Sequence, residues 1–276
     1  MAKHLRVNRL LAIFLLLSLS CGGKANKNSE PADDSALNEF SSLPFHSIPQ
    51  DLDSFTELAN FRVKTVYYDK STGILYAGTV NGLSISKDKG LTWTTKTVHH
   101  GLASNSITAI YANGSDLYVG TLKGLSASSN GGESFVQVFV DTTWNNLAIN
   151  SIFMSQDDLY ISSVEGIAMY RKGAKSFVIY GSSQGLLNEV KRVYAVNTKI
   201  YAATENGLYM SVNGGNFFKK TSVDGLIGSI IYDILAFADR VYVGTSEGIG
   251  ISSDSGDTFK MQTTHYMWKY RYAKHP

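Results

Sequence analysis

Five strings of one pattern run through the chain: LYAGTVNGLSIS from residue 75, LYVGTLKGLSAS from 117, LYISSVEGIAMY from 159, IYAATENGLYMS from 200 and VYVGTSEGIGIS from 241. A fixed period constrains a fold more than local propensity does, because each unit must be one supersecondary element that buries its faces against its siblings. The Gly or its equivalent before the Thr/Ser falls at 78, 120, 162, 203 and 244, a step of 41 or 42. Two further strings keep a constant order around it. Ahead lie ELANFRV at 57, GLASNSI at 101, NLAINSI at 146, GLLNEVK at 185 and GLIGSII at 225. Behind lie SKDKGLTW at 86, SSNGGESF at 128, YRKGAKSF at 170, SVNGGNFF at 211 and SSDSGDTF at 252.

Each unit reads as four strands, in the second unit NSITAIYA, DLYVGT, GLSASS and SFVQVFV. The third strand alternates: Leu83/Ile85, Leu125/Ala127, Ile167/Met169, Leu208/Met210 and Ile249/Ile251 point one way, and Ser84, Ser86, Ser126 and Ser128 the other. Asn-Gly at 81–82 and 206–207, with Lys-Gly and Glu-Gly at the other corners, suits hairpins whose central residues need positive φ. Gly at 25 residues, Tyr at 16 and Pro at only 4 agree with many short strands and tight turns. One four-stranded sheet cannot bury both faces alone, but five arranged radially can. The predicted fold is therefore all-β: a β-propeller of five blades, each of four antiparallel strands.

SxDxGxTW with this period resembles the Asp-box, or bacterial-neuraminidase (BNR), repeat, and GLASNSITAIYANGSDLYVGTLKGL resembles the propeller repeats of two-component-regulator sensors. Photosystem II assembly-factor propellers are similar in combining both. The resemblance covers residues 45–263 and implies fold rather than activity, since these families include hydrolases, sensors and assembly factors. It makes the turns structural: Asp88, Asn130, Asn213 and Asp254 accept backbone hydrogen bonds, and Trp93, Phe135, Phe218 and Phe259 pack inward between blades. In the third unit Lys172 and Ala174 replace the Asp and Gly, which predicts the loosest corner of the five. Residues 45–49, with Phe45 at their head, look like a fourth strand without a blade, so the ring holds an extra strand or a partial sixth blade.

The N-terminus is set aside as residues 1–20 of a signal peptide. Lys3, Arg6 and Arg9 precede an apolar run from Leu10 to Leu17, too short for a bilayer-spanning helix of roughly 20 residues. The single Cys lies in LSLSCGGK, which resembles the lipobox of bacterial lipoproteins and makes Cys21 the expected lipid attachment site. Ser18 stands where that family carries Leu, which keeps plain secretion as the alternative; Gly22 implies, by the same likeness, no inner-membrane retention. Residues 21–44 are polar and poor in apolar side chains, which predicts a disordered tether. Losing the signal removes three of 25 basic side chains and none of 23 acidic ones, leaving a balance of −1 and no electrostatic footprint for nucleic acid. The tail at 264–276, aromatic and basic with Lys269, Arg271 and Lys274, is expected to cover the edge of the closing blade, with a membrane surface or partner as the alternative.

A propeller presents ligands with the loops entering strand one and the hairpins between strands two and three. The hairpin tips are Asn81, Lys123, Glu165, Asn206 and Glu247; the entering loops add His99, His100, Trp144, Tyr180 and Asp224. Together they form a candidate polar binding rim, with Trp144 as its exposed aromatic. No catalytic residues are assigned. Arg62, Arg171, Arg192, Arg240 and Arg271 are the arginines left after the signal, no RIP motif precedes the repeats, and the unit count falls short of a sialidase's six blades. Glu165 and Glu247 are an imaginable carboxylate pair that no spacing selects. GSSQG around Ser183 matches a nucleophile elbow but lacks the strand-turn-helix corner that motif needs. His99 and His100 would face opposite ways on an extended segment, so neither a metal nor another cofactor is expected. The expected function is a non-enzymatic, lipid-anchored envelope module that binds a protein or glycan, at the outer membrane or cell surface, periplasm-facing or extracellular. A glycan-active hydrolase or lectin-like protein, and a detached sensor module, are the alternatives.

Overall fold

The computed structural model describes residues 58, 62–138, 140–171, 174, 176–186, 189–220, 226, 230–237 and 240–262. The expected signal, Cys21, the tether, residues 45–49 and the tail lie outside them, as do Asp224 and Lys172. So the expected looseness of the third corner, which rests on Lys172, falls outside as well.

Twenty strands form five four-stranded antiparallel sheets, each taken in chain order. Blade 1 comprises β1 (Val63–Asp69), β2 (Ile74–Thr79), β3 (Leu83–Ser86) and β4 (Thr94–Lys96). Blade 2 comprises β5 (Ile107–Asn113), β6 (Asp116–Thr121), β7 (Gly124–Ser128) and β8 (Val136–Val138). Blade 3 comprises β9 (Ser151–Ser155), β10 (Asp158–Ser163), β11 (Gly166–Arg171) and β12 (Val178–Tyr180). Blade 4 comprises β13 (Val190–Val196), β14 (Lys199–Thr204), β15 (Gly207–Ser211) and β16 (Lys219–Lys220). Blade 5 comprises β17 (Ile231–Phe237), β18 (Arg240–Thr245), β19 (Gly248–Ser252) and β20 (Lys260–Gln262). The first strand of each blade packs on the first strand of the next, from β1 through β5, β9 and β13 to β17. This is the β-propeller that the repeat predicts.

The core is divided as the repeat requires, one apolar cluster per blade junction. Tyr76, Leu83 and Ile85 of blade 1 meet Ile107, Ile110 and Phe135 of blade 2. Leu125 meets Ile149 and Leu159 between blades 2 and 3, and Ile167 and Tyr180 meet Val190 and Phe218 between blades 3 and 4. Leu208 meets Ile231 and Phe259 between blades 4 and 5. Close approach explains the Gly of the LYxGT string: a Cβ on Gly78 would lie 2.7 Å from an Ile107 methyl, and one on Gly120 2.8 Å from an Ile149 methyl. Ile149 thus occupies in blade 3 the place of Ile107 in blade 2.

The turns between third and fourth strands behave as masonry. In blade 1 the Ser86 hydroxyl donates to Asp88 Oδ1 (2.8 Å) and accepts from Gly90 N–H (2.7 Å), while Thr92 N–H donates to Asp88 (2.8 Å). The same knot recurs around Asn130, Asn213 and Asp254. Phe135, Phe218 and Phe259 are buried in junctions. Trp93 differs in degree: it is half-buried and donates its indole N–H to Gly90 O (3.2 Å). The hairpins depart in one detail. Gly82, Gly124, Gly166, Gly207 and Gly248 take positive φ, but Asn81 and Asn206 do not.

Candidate functional site

The end of the propeller opposite the Ser-Asx turns carries a feature that the strings hide. Four of the five first strands open with a register shift, at Val63/Thr65, Ile107/Ala109, Val190/Arg192 and Ile231/Asp233. The shift leaves one extra residue, Lys64, Thr108, Lys191 or Tyr232, between a β-branched first residue and the regular ladder; that first residue is buried in blades 2, 4 and 5 (Ile107, Val190, Ile231), and Val63 of blade 1 is exposed. In blade 3 Asn150 holds that place just ahead of β9. Bulges re-aim a side chain and break the pairing locally, and they concentrate near functional sites.

Three of these residues meet. Asn150, Lys191, Arg192, Glu205, Ile230 and Tyr232 line an open cleft of about 350 Å³ shared by blades 3, 4 and 5. Lys191 Nζ lies 2.7 Å from Glu189 and 3.2 Å from Glu205, and its pKa is raised, chiefly by the hydrogen bond to Glu189. Asn150 donates through Nδ2 to Glu189 Oε1 and to the Val190 carbonyl, both at 2.9 Å. Arg192 donates to the Asn150 carbonyl (3.0 Å) and pairs with Asp233 at 3.6 Å. The two cations are thus matched by three carboxylates, so the cleft offers no excess positive charge for an anion. Tyr232, 58% exposed, leaves a ring face and a hydroxyl for an uncharged polar ligand.

The predicted rim is only partly a rim. Asn81, Lys123, Glu165 and Asn206 are exposed at hairpin tips, Glu247 is half-buried at the fifth, and His99 is exposed. At each tip a Thr or Ser hydroxyl accepts from the tip N–H, as Thr204 does from Asn206 (3.1 Å), so the hairpins are closed by their own Thr or Ser side chain. Trp144 is corrected: at 2% exposed it sits in the core between blades 2 and 3, where other blades place Leu102 and Leu186. Tyr180 is corrected too, buried against Phe218 with ring centroids 6.0 Å apart. His100 is occupied in fastening its own loop: its Nδ1 accepts from Thr97 N–H (3.1 Å) and its carbonyl from Phe135 N–H (2.8 Å), a role that Gln184 repeats toward Gly181 and Phe218. Among the described residues no group of three His, Cys, Asp or Glu side chains is placed to hold a metal ion. Asn150, Lys191, Arg192, Glu205 and Tyr232 were not among the predicted site residues; for Asn150, Lys191 and Tyr232 the signal is a position, the residue just after the buried Ile149, Val190 and Ile231.

The chain matches no protein-family profile. It matches no curated protein either. Solved structures do resemble it. The extracellular domain of a protein described as a one-component system from B. thetaiotaomicron aligns with a TM-score of 0.60 at 22% identity, over 71% of this chain and 28% of that one. A GH74 xyloglucanase from Xanthomonas campestris aligns at 0.56 and 16%, over 72% and 38%, and YCF48 from Cyanidioschyzon merolae at 0.52 and 12%, over 75% and 74%. The chain spans under a third of the length of the first of these, and at such identities the likeness is one of fold.

Proposed function

We propose that the protein is a non-enzymatic binding module of the bacterial cell envelope, anchored through lipid on Cys21, and that it engages its ligand through the cleft between blades 3 and 5. The observation that carries this reading is the internally neutralised cleft beside an exposed Tyr232, a surface suited to the hydroxyls and apolar faces of a glycan or to a peptide's amides. The likeness to extracellular sensor domains supports an extracellular or periplasmic setting, and the resemblance of LSLSCGGK to a lipobox supports the anchor. The test is a glycan array, together with cross-linking in intact envelopes, comparing the full chain with its Tyr232→Ala variant. Capture about tenfold weaker in the variant, with unchanged thermal stability, is expected. Equal capture by both chains, or release of reducing ends from a bound glycan, overturns the reading. Mass spectrometry of the N-terminal peptide checks the lipid.

A further inference from the structure

The repeat supplies its own control for surfaces that ought to be covered. In four junctions one residue of the entering loop, Leu102, Trp144, Leu186 or Leu226, is buried and clusters with a third-strand residue of the preceding blade. Those residues are Leu83, Leu125, Ile167 and Leu208, none more than 1% exposed. The fifth residue of that series, Ile249, is 46% exposed. On the same face, two strands away in β17, Leu235 is exposed as well, although its counterparts Tyr67, Phe153 and Tyr194 pack into the junctions that follow their blades. The rear face of blade 5 therefore has the composition of a junction and, among the described residues, no cover.

The spacing identifies the cover. From the fourth-strand aromatic to the buried loop residue the chain runs 9 positions from Trp93 to Leu102, from Phe135 to Trp144 and from Phe177 to Leu186, and 8 from Phe218 to Leu226. Nine positions beyond Phe259 stands Trp268, the residue type that fills the same place at Trp144. Tyr266, Met267 and Tyr270 flank it, enough apolar surface to lie across Leu235 and Ile249.

We propose that residues 263–276 fold against the rear face of blade 5, with Trp268 seated over Ile249 as Trp144 is seated over Leu125. The segment is the cap that terminal units of a repeat array require. The proposal is tested in the full chain carrying Cys21→Ser, so that the only thiols are an introduced pair, Ile249→Cys with Trp268→Cys. Mild oxidation is expected to join them within one chain in most molecules, while the control pair Val136→Cys with Trp268→Cys stays reduced. A second measurement keeps the side chain's own contribution in view: Trp268→Ala is expected to lower Tm by about 5 °C or more. Bridges between two chains would make a second copy the occupant, and that result, an absent bridge, or an unchanged Tm overturns the proposal.

Discussion

Four blades close the turn between their third and fourth strands with a Ser-Asx knot, and blade 3 does not. Where blade 4 has Ser211, Asn213 and Gly215, blade 3 has Tyr170, Lys172 and Ala174. The described residues on either side of that turn make other contacts. Arg171 donates twice to Asp158, Nε to Oδ1 and Nη2 to Oδ2, both at 2.9 Å, across the ends of β10 and β11. Tyr170 stacks on Phe177 with centroids 5.2 Å apart, and both pack against the junction with blade 2. The knot is therefore not what makes a blade. What it adds is a glycine, docked by its left-handed backbone against the preceding blade, and blade 3 replaces that contact with aromatic surface.

The largest expected effect tests the docking. Gly215 has φ +94°, and a Cβ there would fall 2.5 Å from the ring of Tyr180, which is buried and cannot retreat. Gly215→Ala is expected to cost about 2–4 kcal/mol, the sum of left-handed strain and overpacking. Gly90 has φ +93° but its nearest neighbours lie at 3.7 Å, so Gly90→Ala should cost only the strain, about 1–2 kcal/mol. Ala174→Gly adds no side chain to the turn and should cost less than either. Urea denaturation of the three variants reads the order directly, and equal losses at Gly215 and Gly90 would break the link between knot and junction.

A smaller effect isolates the hydrogen bonds. Ser211→Ala removes the acceptor of the Gly215 N–H (2.9 Å) and the donor to Asn213 (2.8 Å) while leaving the backbone geometry accessible. The Gly215 N–H is then buried without a partner, which costs about 1–3 kcal/mol. The urea midpoint should fall with the slope unchanged. A loss as large as that of Gly215→Ala would place the whole value of the turn in its polar knot.

These contrasts also show what the sequence reveals. Blade count, strand order and turn chemistry follow from the period, because Gly78, Thr79 and Gly82, or small or hydroxyl-bearing equivalents, recur at fixed offsets and each has one local job. The inner face is harder to read. NLAINSI and GLLNEVK invite alignment of their last residues with Ile107 of GLASNSI, yet Ile149 and Val190 take its place, so Asn150 and the bulge residue Lys191 are hidden by a few positions of misregister. Trp144 misleads for the opposite reason: its position in an entering loop suggests exposure, whereas that position holds a buried leucine in neighbouring blades. Which loop residue is buried depends on the neighbouring blade, and that information is not local.

The smallest effect separates the knots from one another by charge. Asp88 is held down at about 2, chiefly by the Thr92 hydroxyl, and Asp254 is lowered too, chiefly by its bond from Ser252. Asn130 and Asn213, in the other two knots, do not titrate. A carboxylate whose pKa is lower in the folded chain than in the unfolded one, where it lies near 3.9, stabilises the fold above that value and loses the contribution as pH falls toward the folded value. For Asp88 the window runs from about 4 down to about 2. Asp69, bonded to Ser71, Thr72 and Gly114, is also lowered and titrates on the same side, as is Glu133 through Lys96 and Lys87. The double variant Asp88→Asn, Asp254→Asn should therefore reduce, without abolishing, the fall in Tm between pH 5 and pH 2.5. Both carboxylates lie at the surface, so the difference should be small and should shrink in high salt. Superimposable curves for the two chains would mean that Asx knots stabilise equally whether charged or neutral, and would leave geometry as their sole contribution.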